Sequence, residues 1–280
     1  MTTDTAPTAA PRPDTGARRV ARAIADNTIA GFAPWIIMSV VASLSRFELA
    51  VGLALASSLI LLGLSRYAGA SIKLLEWLDA ALFAVLAVIG AVAAPGLRDW
   101  LQTWAGELSN IALVVIALGS MLVRHPFTID YAREQTPRQF WHTPAFLRVN
   151  YIITGVWALA FLVSAVSGFI GDFVLDNSND IWTGWVIQIG ALLVAVQFTL
   201  WYPKVVRAKG RRAAGVPTDP PPPVSELLVG CAAYLPAVGI IALVFDAGPW
   251  WVGVGLIVAG AAIAQQAHQG RTGRAEPAES

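Results

Sequence analysis

The densest group of residues able to do chemistry is the run Arg124-His125-Pro126-Phe127-Thr128-Ile129-Asp130-Tyr131-Ala132-Arg133-Glu134. It sets an imidazole, a phenol, two guanidinium groups and two carboxylates within eleven positions, the residue types from which ion pairs and acid–base sites are made. Earlier in the chain, Glu76 and Asp79 stand three apart. On a helix that spacing puts both carboxylates on one face, and the helix N-terminal dipole favours negative charge there. Arg124 and Arg133 are their expected partners. Further on, Asn150, Thr154 and Trp157 recur at i, i+4 and i+7, a polar stripe that must turn inward if the helix lies in lipid. The candidate functional cluster is therefore Glu76, Asp79, Arg124, His125, Thr128, Tyr131, Arg133, Glu134, Asn150 and Thr154. Pairing that fixes helix ends is the favoured reading of these charges. A substrate or proton site is the alternative, because ionisable groups at membrane depth are functional candidates.

Several reaction classes lack their residues. The three histidines, His125, His142 and His268, all lie outside the apolar segments, so paired axial haem ligands on facing membrane helices are not available. No Cys/His set has zinc spacing, and no H-E-x-x-H, P-loop, Rossmann glycine fingerprint or G-x-S-x-G elbow occurs. No catalytic residue, cofactor or metal is expected. The run Leu175-Asp176-Asn177-Ser178-Asn179-Asp180 reads as turn chemistry without an EF-hand spacing. Cys231, the one cysteine, packs as a small hydrophobe. Gln188 and Gln197 are read as amides bonded to a neighbouring helix.

The elements that would position these residues follow from composition. The chain of 280 residues is 56% hydrophobic and only 13% charged, too little charge to solvate a globular surface of this size. A net charge of +1, with the basic residues divided among several loops, argues against nucleic-acid binding. Eight apolar segments reach the length a membrane helix needs, at 28–44, 47–64, 74–94, 108–123, 148–170, 182–202, 226–245 and 249–266. Only Ser45 and Arg46 separate the first two, which form a tight hairpin or, alternatively, a re-entrant element. Of the nineteen Lys and Arg residues, seventeen fall in alternate gaps, and only Arg46 and Arg98 fall in the others. Positive charge stays on the cytoplasmic side, so an all-α polytopic bundle of eight membrane-spanning helices with both termini cytoplasmic is expected.

The domain reading has five parts. Residues 1–27 form a disordered cytoplasmic tail, 28–124 an N-terminal four-helix half, and 125–147 a cytoplasmic central loop with an interfacial segment. Residues 148–266 form a C-terminal four-helix half, and 267–280 a second disordered tail. Within the latter half, 203–225 is a cytoplasmic loop with a basic run and, after it, Pro217, Pro220, Pro221, Pro222 and Pro223, which extends as a polyproline spacer. Pro126 should end the fourth helix, and Thr143-Pro144 reads as N-cap and N1 of the fifth. Nine of the eleven tryptophans fall near helix ends, where indoles anchor at headgroup depth, whereas Trp35 and Trp157 lie deeper and should pack between helices. Gly253, Gly255, Ala259 and Gly260 make the last helix smooth for close packing.

The stretch Gly119-Ser120-Met121-Leu122-Val123-Arg124-His125-Pro126-Phe127 with Tyr131-Ala132-Arg133-Glu134 resembles uncharacterised bacterial integral membrane proteins that are distantly similar to the intracellular septation protein A group. Glu76-Trp77-Leu78-Asp79 before an apolar helix is compatible with it, and the resemblance covers about residues 34–157. It implies a multi-pass protein of the bacterial inner membrane with an envelope-associated role, and it supplies no catalytic residue. The expected function is non-enzymatic binding of lipid or of membrane-protein partners, a second copy of the chain included. A small-molecule or lipid transporter with a polar cavity near Asn150, Thr154 and Gln188 is one alternative, and an intramembrane enzyme is another.

Overall fold

The computed structural model describes residues 16–42, 46–175, 180–244 and 248–272. All regular structure among these residues is helical. Six helices are long and apolar enough to cross a bilayer: Phe47–Ala68, Leu74–Val92, Pro95–Leu122, Pro144–Val174, Trp182–Ala213 and Val224–Val244. Two shorter apolar helices, Ala33–Ala42 and Trp250–Gln266, fall in the first and last of the apolar segments. This is the architecture of a multi-pass helical membrane protein, in which backbone polar groups are satisfied within each helix.

In chain order the helices are α1 (Gly16–Ala25), α2 (Thr28–Gly31), α3 (Ala33–Ala42), α4 (Phe47–Ala68), α5 (Leu74–Val92) and α6 (Pro95–Leu122). They continue as α7 (Thr128–Glu134), α8 (Pro144–Phe169), α9 (Ile187–Ala213), α10 (Val224–Ala232), α11 (Leu235–Val244) and α12 (Trp250–Thr272). Two π-helical turns, Ile170–Val174 and Trp182–Val186, extend α8 and lead into α9. The core lies among α3, α4, α5, α6 and α8. Its centre is aromatic: Phe32 stacks on Trp157 at 4.5 Å between centroids and meets Phe127 edge-on at 6.0 Å, while Trp35 packs on Phe83 at 5.0 Å. Trp35 and Trp157 are both 3% exposed, as their deep positions predict. The α11–α12 hairpin stands apart from this core and joins it through α10 and α9.

Helix ends follow local chemistry. Gly69 (φ +66°) closes α4 in the left-handed region, with its N–H bonded to Arg66 O and the next N–H to Ser65 O. Arg124 (φ +60°) takes the same conformation after α6, with His125 N bonded to Ser120 O at 2.9 Å. An L side chain there costs about 1 kcal/mol or more relative to glycine. Pro126 follows, as expected of a residue that cannot continue the helix. Thr143 caps α8 by accepting from Phe146 N, with Pro144 at N1.

The structure departs from the sequence reading at several boundaries. Residues 16–25 are not a disordered tail but the helix α1, whose Ala21 and Ala25 are buried and which packs on α4. Small residues recurring four apart give it a face narrow enough to dock, a signal hidden by the arginines around them. At the other end α12 continues to Thr272, so 267–272 is helix rather than tail. Helix α6 begins at Pro95 instead of 108, because Pro95 at N1 starts a helix that polar residues then continue. Pro203 lies inside α9, which carries the whole basic run to Ala213, and only the stretch beyond it is extended spacer. Trp201 Nε1 holds that spacer back by donating to Pro222 O and Pro223 O at 3.2 and 3.1 Å. Asp176 and Arg12 lie outside the described residues.

Candidate functional site

The charged residues gather at one end of the bundle, where α5 starts and α4 and α6 end. Its centre is Lys73, the residue before α5, whose side chain is fully buried. Its Nζ lies 3.6 Å from Asp26 Oδ1, 3.8 Å from Glu76 Oε1 and 5.5 Å above the Tyr131 ring, and it donates to Ser71 O at 3.2 Å. Asp26 also meets Arg22 at 3.9 Å. Glu76 Oε1 accepts from Ser65 Oγ at 2.9 Å, and Asp79 Oδ1 accepts from Trp35 Nε1 at 2.7 Å. Glu76 and Asp79 share a buried helix face, as their spacing predicts.

Helix α7 closes this end. Residues 125–147 were expected to be a cytoplasmic loop with an interfacial segment, yet Phe127, Ile129 and Tyr131 are 1%, 1% and 2% exposed, so α7 is seated in the end of the bundle. Its polar side engages α5: Asp130 Oδ2 accepts from Leu74 N at 2.9 Å, capping α5 where Lys73 offers no side-chain cap. Asp130 Oδ1 meets His125 Nε2 at 2.9 Å and Arg133 Nη1 at 3.6 Å. Glu134 accepts from both Ser71 N and Ser71 Oγ. Burial would raise the Glu134 carboxyl, but those bonds and the charges of Lys73 and Arg22 outweigh it and hold it below the ordinary value. Burial, followed by the charges of Glu76, Asp79 and Asp130, pushes the Tyr131 phenol well up, so it remains an O–H donor.

The expected partners of Glu76 and Asp79 were Arg124 and Arg133, and the structure corrects both. Arg124 is exposed and Arg133 turns to Asp130 and the Trp141 ring, while Lys73 and Trp35 take their places. The physical reason is reach: Lys73 is one turn from Glu76 on the same helix, whereas Arg124 leaves α6 in a left-handed turn. Lys73, Trp35, Asp26, Ser65 and Ser71 were missed as site residues, and Asp130, though part of the dense polar run, was left out of the cluster. For Lys73 the signal in the sequence was its spacing from Glu76.

The polar stripe of α8 serves a second purpose. Asn150, Thr154 and Trp157 do face inward, at 1%, 0% and 3% exposure. Thr128 Oγ1 lies 2.9 Å from Thr154 Oγ1 and donates toward Asn150 O and Oδ1 at 3.2 Å, and Asn150 Nδ2 bonds Phe146 O at 2.9 Å. These groups satisfy one another and fasten α7 to α8. Gln188 does not join them: it meets Asn110 Nδ2 at 3.3 Å and Thr183 O at 3.0 Å, beside Gly168. Gly168 lies eighteen residues along α8 from Asn150, roughly 27 Å at the helical rise. The cavity expected from Asn150, Thr154 and Gln188 is thus two separate groups of hydrogen bonds.

A further acid marks the opposite end. Glu107 on α6 is 8% exposed, sits beside Asp172, and occupies the space a side chain at Gly168 would fill. It borders a groove of about 460 Å³ lined by Trp100, Trp104, Leu108, Ile111, Leu162 and Phe169, with Ala165 and Val166. A second groove of about 340 Å³ runs from Phe47 to Gly90 and Arg98, and there Arg98 Nη1 meets Glu48 Oε1 at 3.1 Å. Among the described residues no group of three His, Cys, Asp or Glu side chains is arranged to hold a metal ion. Compared with known protein families, curated proteins and solved structures, the chain has no significant match.

Proposed function

We propose that this chain is a non-enzymatic protein of the bacterial inner membrane, with eight crossings and both termini cytoplasmic, that binds a lipid chain in the α6–α8 groove. The groove carries the reading. It is almost wholly apolar, has a volume within the range of ligand sites, and offers one buried carboxyl, Glu107, among aromatic and aliphatic walls. Trp100 and Trp104 lie on its rim, at the end of α6 where indoles suit headgroup depth.

The crossing count draws support from both ends of α3. Trp35, near its start, bonds Asp79 at the Lys73 end, and Ala42 O at its finish accepts from Gln102 Nε2, close to Arg98. Gln102 Oε1 also accepts from Phe47 N at 2.7 Å and so starts the return helix α4. Ties toward opposite ends of the bundle favour a crossing over a re-entrant element. The Arg and Lys bias orients the Lys73 end toward the cytoplasm.

The lipid reading is tested by purifying the full chain in mild detergent and measuring bound lipid by mass spectrometry, beside Val166→Trp, which fills the groove from its exposed side. The variant is expected to lose most of the co-purified lipid at an unchanged melting temperature. Equal lipid amount and species in both proteins would sink the reading.

A further inference from the structure

The charge count at the Lys73 cluster does not close. Lys73 and Arg22 supply two positive charges, which Asp26 and Glu76 take up at 3.6–3.9 Å. Asp79 is 1% exposed, and among the described residues its hydrogen-bond partner is the neutral indole N–H of Trp35. A buried carboxylate with no counter-charge is costly, because desolvation of one ion in a protein amounts to several kcal/mol. Asp130 does not help: it is another acid, already occupied by His125, Arg133 and the start of α5.

Unpaired atoms belong to the side chains around Lys73. Glu76 Oε2, Asp79 Oδ2 and Tyr131 Oη are all buried and lack a hydrogen-bond partner among the described residues. The three side chains are 3%, 1% and 2% exposed. Such groups are rare in folded proteins, and each calls for a physical cause. Glu76 and Asp79 are one turn apart on a single face of α5. The phenol comes in from α7, its hydroxyl against Gly31 and near Leu75, and it feels the charges of Glu76 and Asp79. Three oxygens from two elements and one uncompensated negative charge make the complement of a small hard cation.

We propose that Glu76, Asp79 and Tyr131 form a binding site for one monovalent cation, sodium or a proton, at the cytoplasmic end of the bundle. The cation balances Asp79 and takes Glu76 Oε2, Asp79 Oδ2 and Tyr131 Oη as its oxygen partners. Lys73 holds the other oxygen of Glu76 and keeps the site at a single charge, so a divalent ion is disfavoured. Because α7 supplies the phenol, occupancy is coupled to the seating of α7 on α5. This inference is independent of the lipid reading, since the two sites share no residue.

The test uses the purified full chain in lipid nanodiscs at fixed pH and ionic strength. Sodium, potassium or choline chloride is titrated calorimetrically, and infrared spectra are recorded for the carboxylic acid C=O band. Glu76→Gln, Asp79→Asn and Tyr131→Phe are compared with the parent, with tryptophan fluorescence melting as the control for folding. Saturable heat with sodium but not choline, weakened at least tenfold by Tyr131→Phe, identifies a metal cation. Absence of that heat together with an acid band that Asp79→Asn or Glu76→Gln removes identifies a proton. Tyr131→Phe removes one oxygen without altering charge, so it keeps the question answerable if an acid variant does not fold. Neither heat nor band, or a signal unchanged in all three variants, overturns the proposal.

Discussion

Lys73 shows how much one buried side chain can organise. It joins α1–α2, α5 and α7 through Asp26, Glu76 and the Tyr131 ring, and its side chain is fully buried. Removing one partner of a buried pair leaves the other charge desolvated and alone, typically at a cost of about 3–5 kcal/mol. Lys73→Met is therefore expected to lower stability by roughly 3 kcal/mol, the low end because Asp26 is partly solvated and retains Arg22. Thermal melting in detergent measures this, and a melting temperature equal to that of the parent would show that the pair contributes nothing. Arg124 is the contrasting residue. It sits in the motif-rich run yet faces solvent in a conformation that suits glycine, so prominence in the sequence did not translate into a place in the cluster.

Among the elements, the α11–α12 hairpin depends on closeness rather than polarity. A side chain at Gly239 would collide with Gly253 O and Ile257, one at Gly253 with Leu243 and Gly239 O, and one at Gly260 with Pro236. Helices in lipid associate through such small-residue contact, because lipid tails are as apolar as leucine. Gly253→Leu is expected to force the helices apart and cost about 1–3 kcal/mol, the usual penalty of overpacking. Disulfide trapping between cysteines placed at Val238 and Ile257 should then slow severalfold. Unchanged trapping would mean that the close approach is not what holds the pair. The smooth face of α12 was legible from Gly253 and Gly260, but its partner was not, since many apolar helices offer the same surface.

At the scale of the molecule, charge and hydrogen bonding agree on two distinct ends. Lys73, Asp26, Asp130 and Glu134 occupy one, and Arg98, Glu48 and Gln102 the other. The proposed eight-crossing arrangement makes a direct prediction for loop accessibility. In a Cys231→Ser background, Ser178→Cys should react with an impermeant thiol reagent added outside intact cells, and Ser225→Cys should react only after the membrane is opened. The reverse pattern, or reaction of both from one side, would exclude the topology.

The sequence by itself determined the helical class, the positions of the apolar segments, the inward face of Asn150, Thr154 and Trp157, and the caps at Thr143 and Pro126. Each of these depends on local composition or on spacing along one helix, and neither requires a knowledge of neighbours. Only the tertiary structure decided which charges meet. Lys73 reads as one more basic residue in a short loop until α7 folds back over it, and Arg124 reads as a site residue until the left-handed turn after α6 carries it away. Hydropathy is summed residue by residue along the chain. An ion pair is set by the rotation and depth of two helices relative to each other, which no such sum contains.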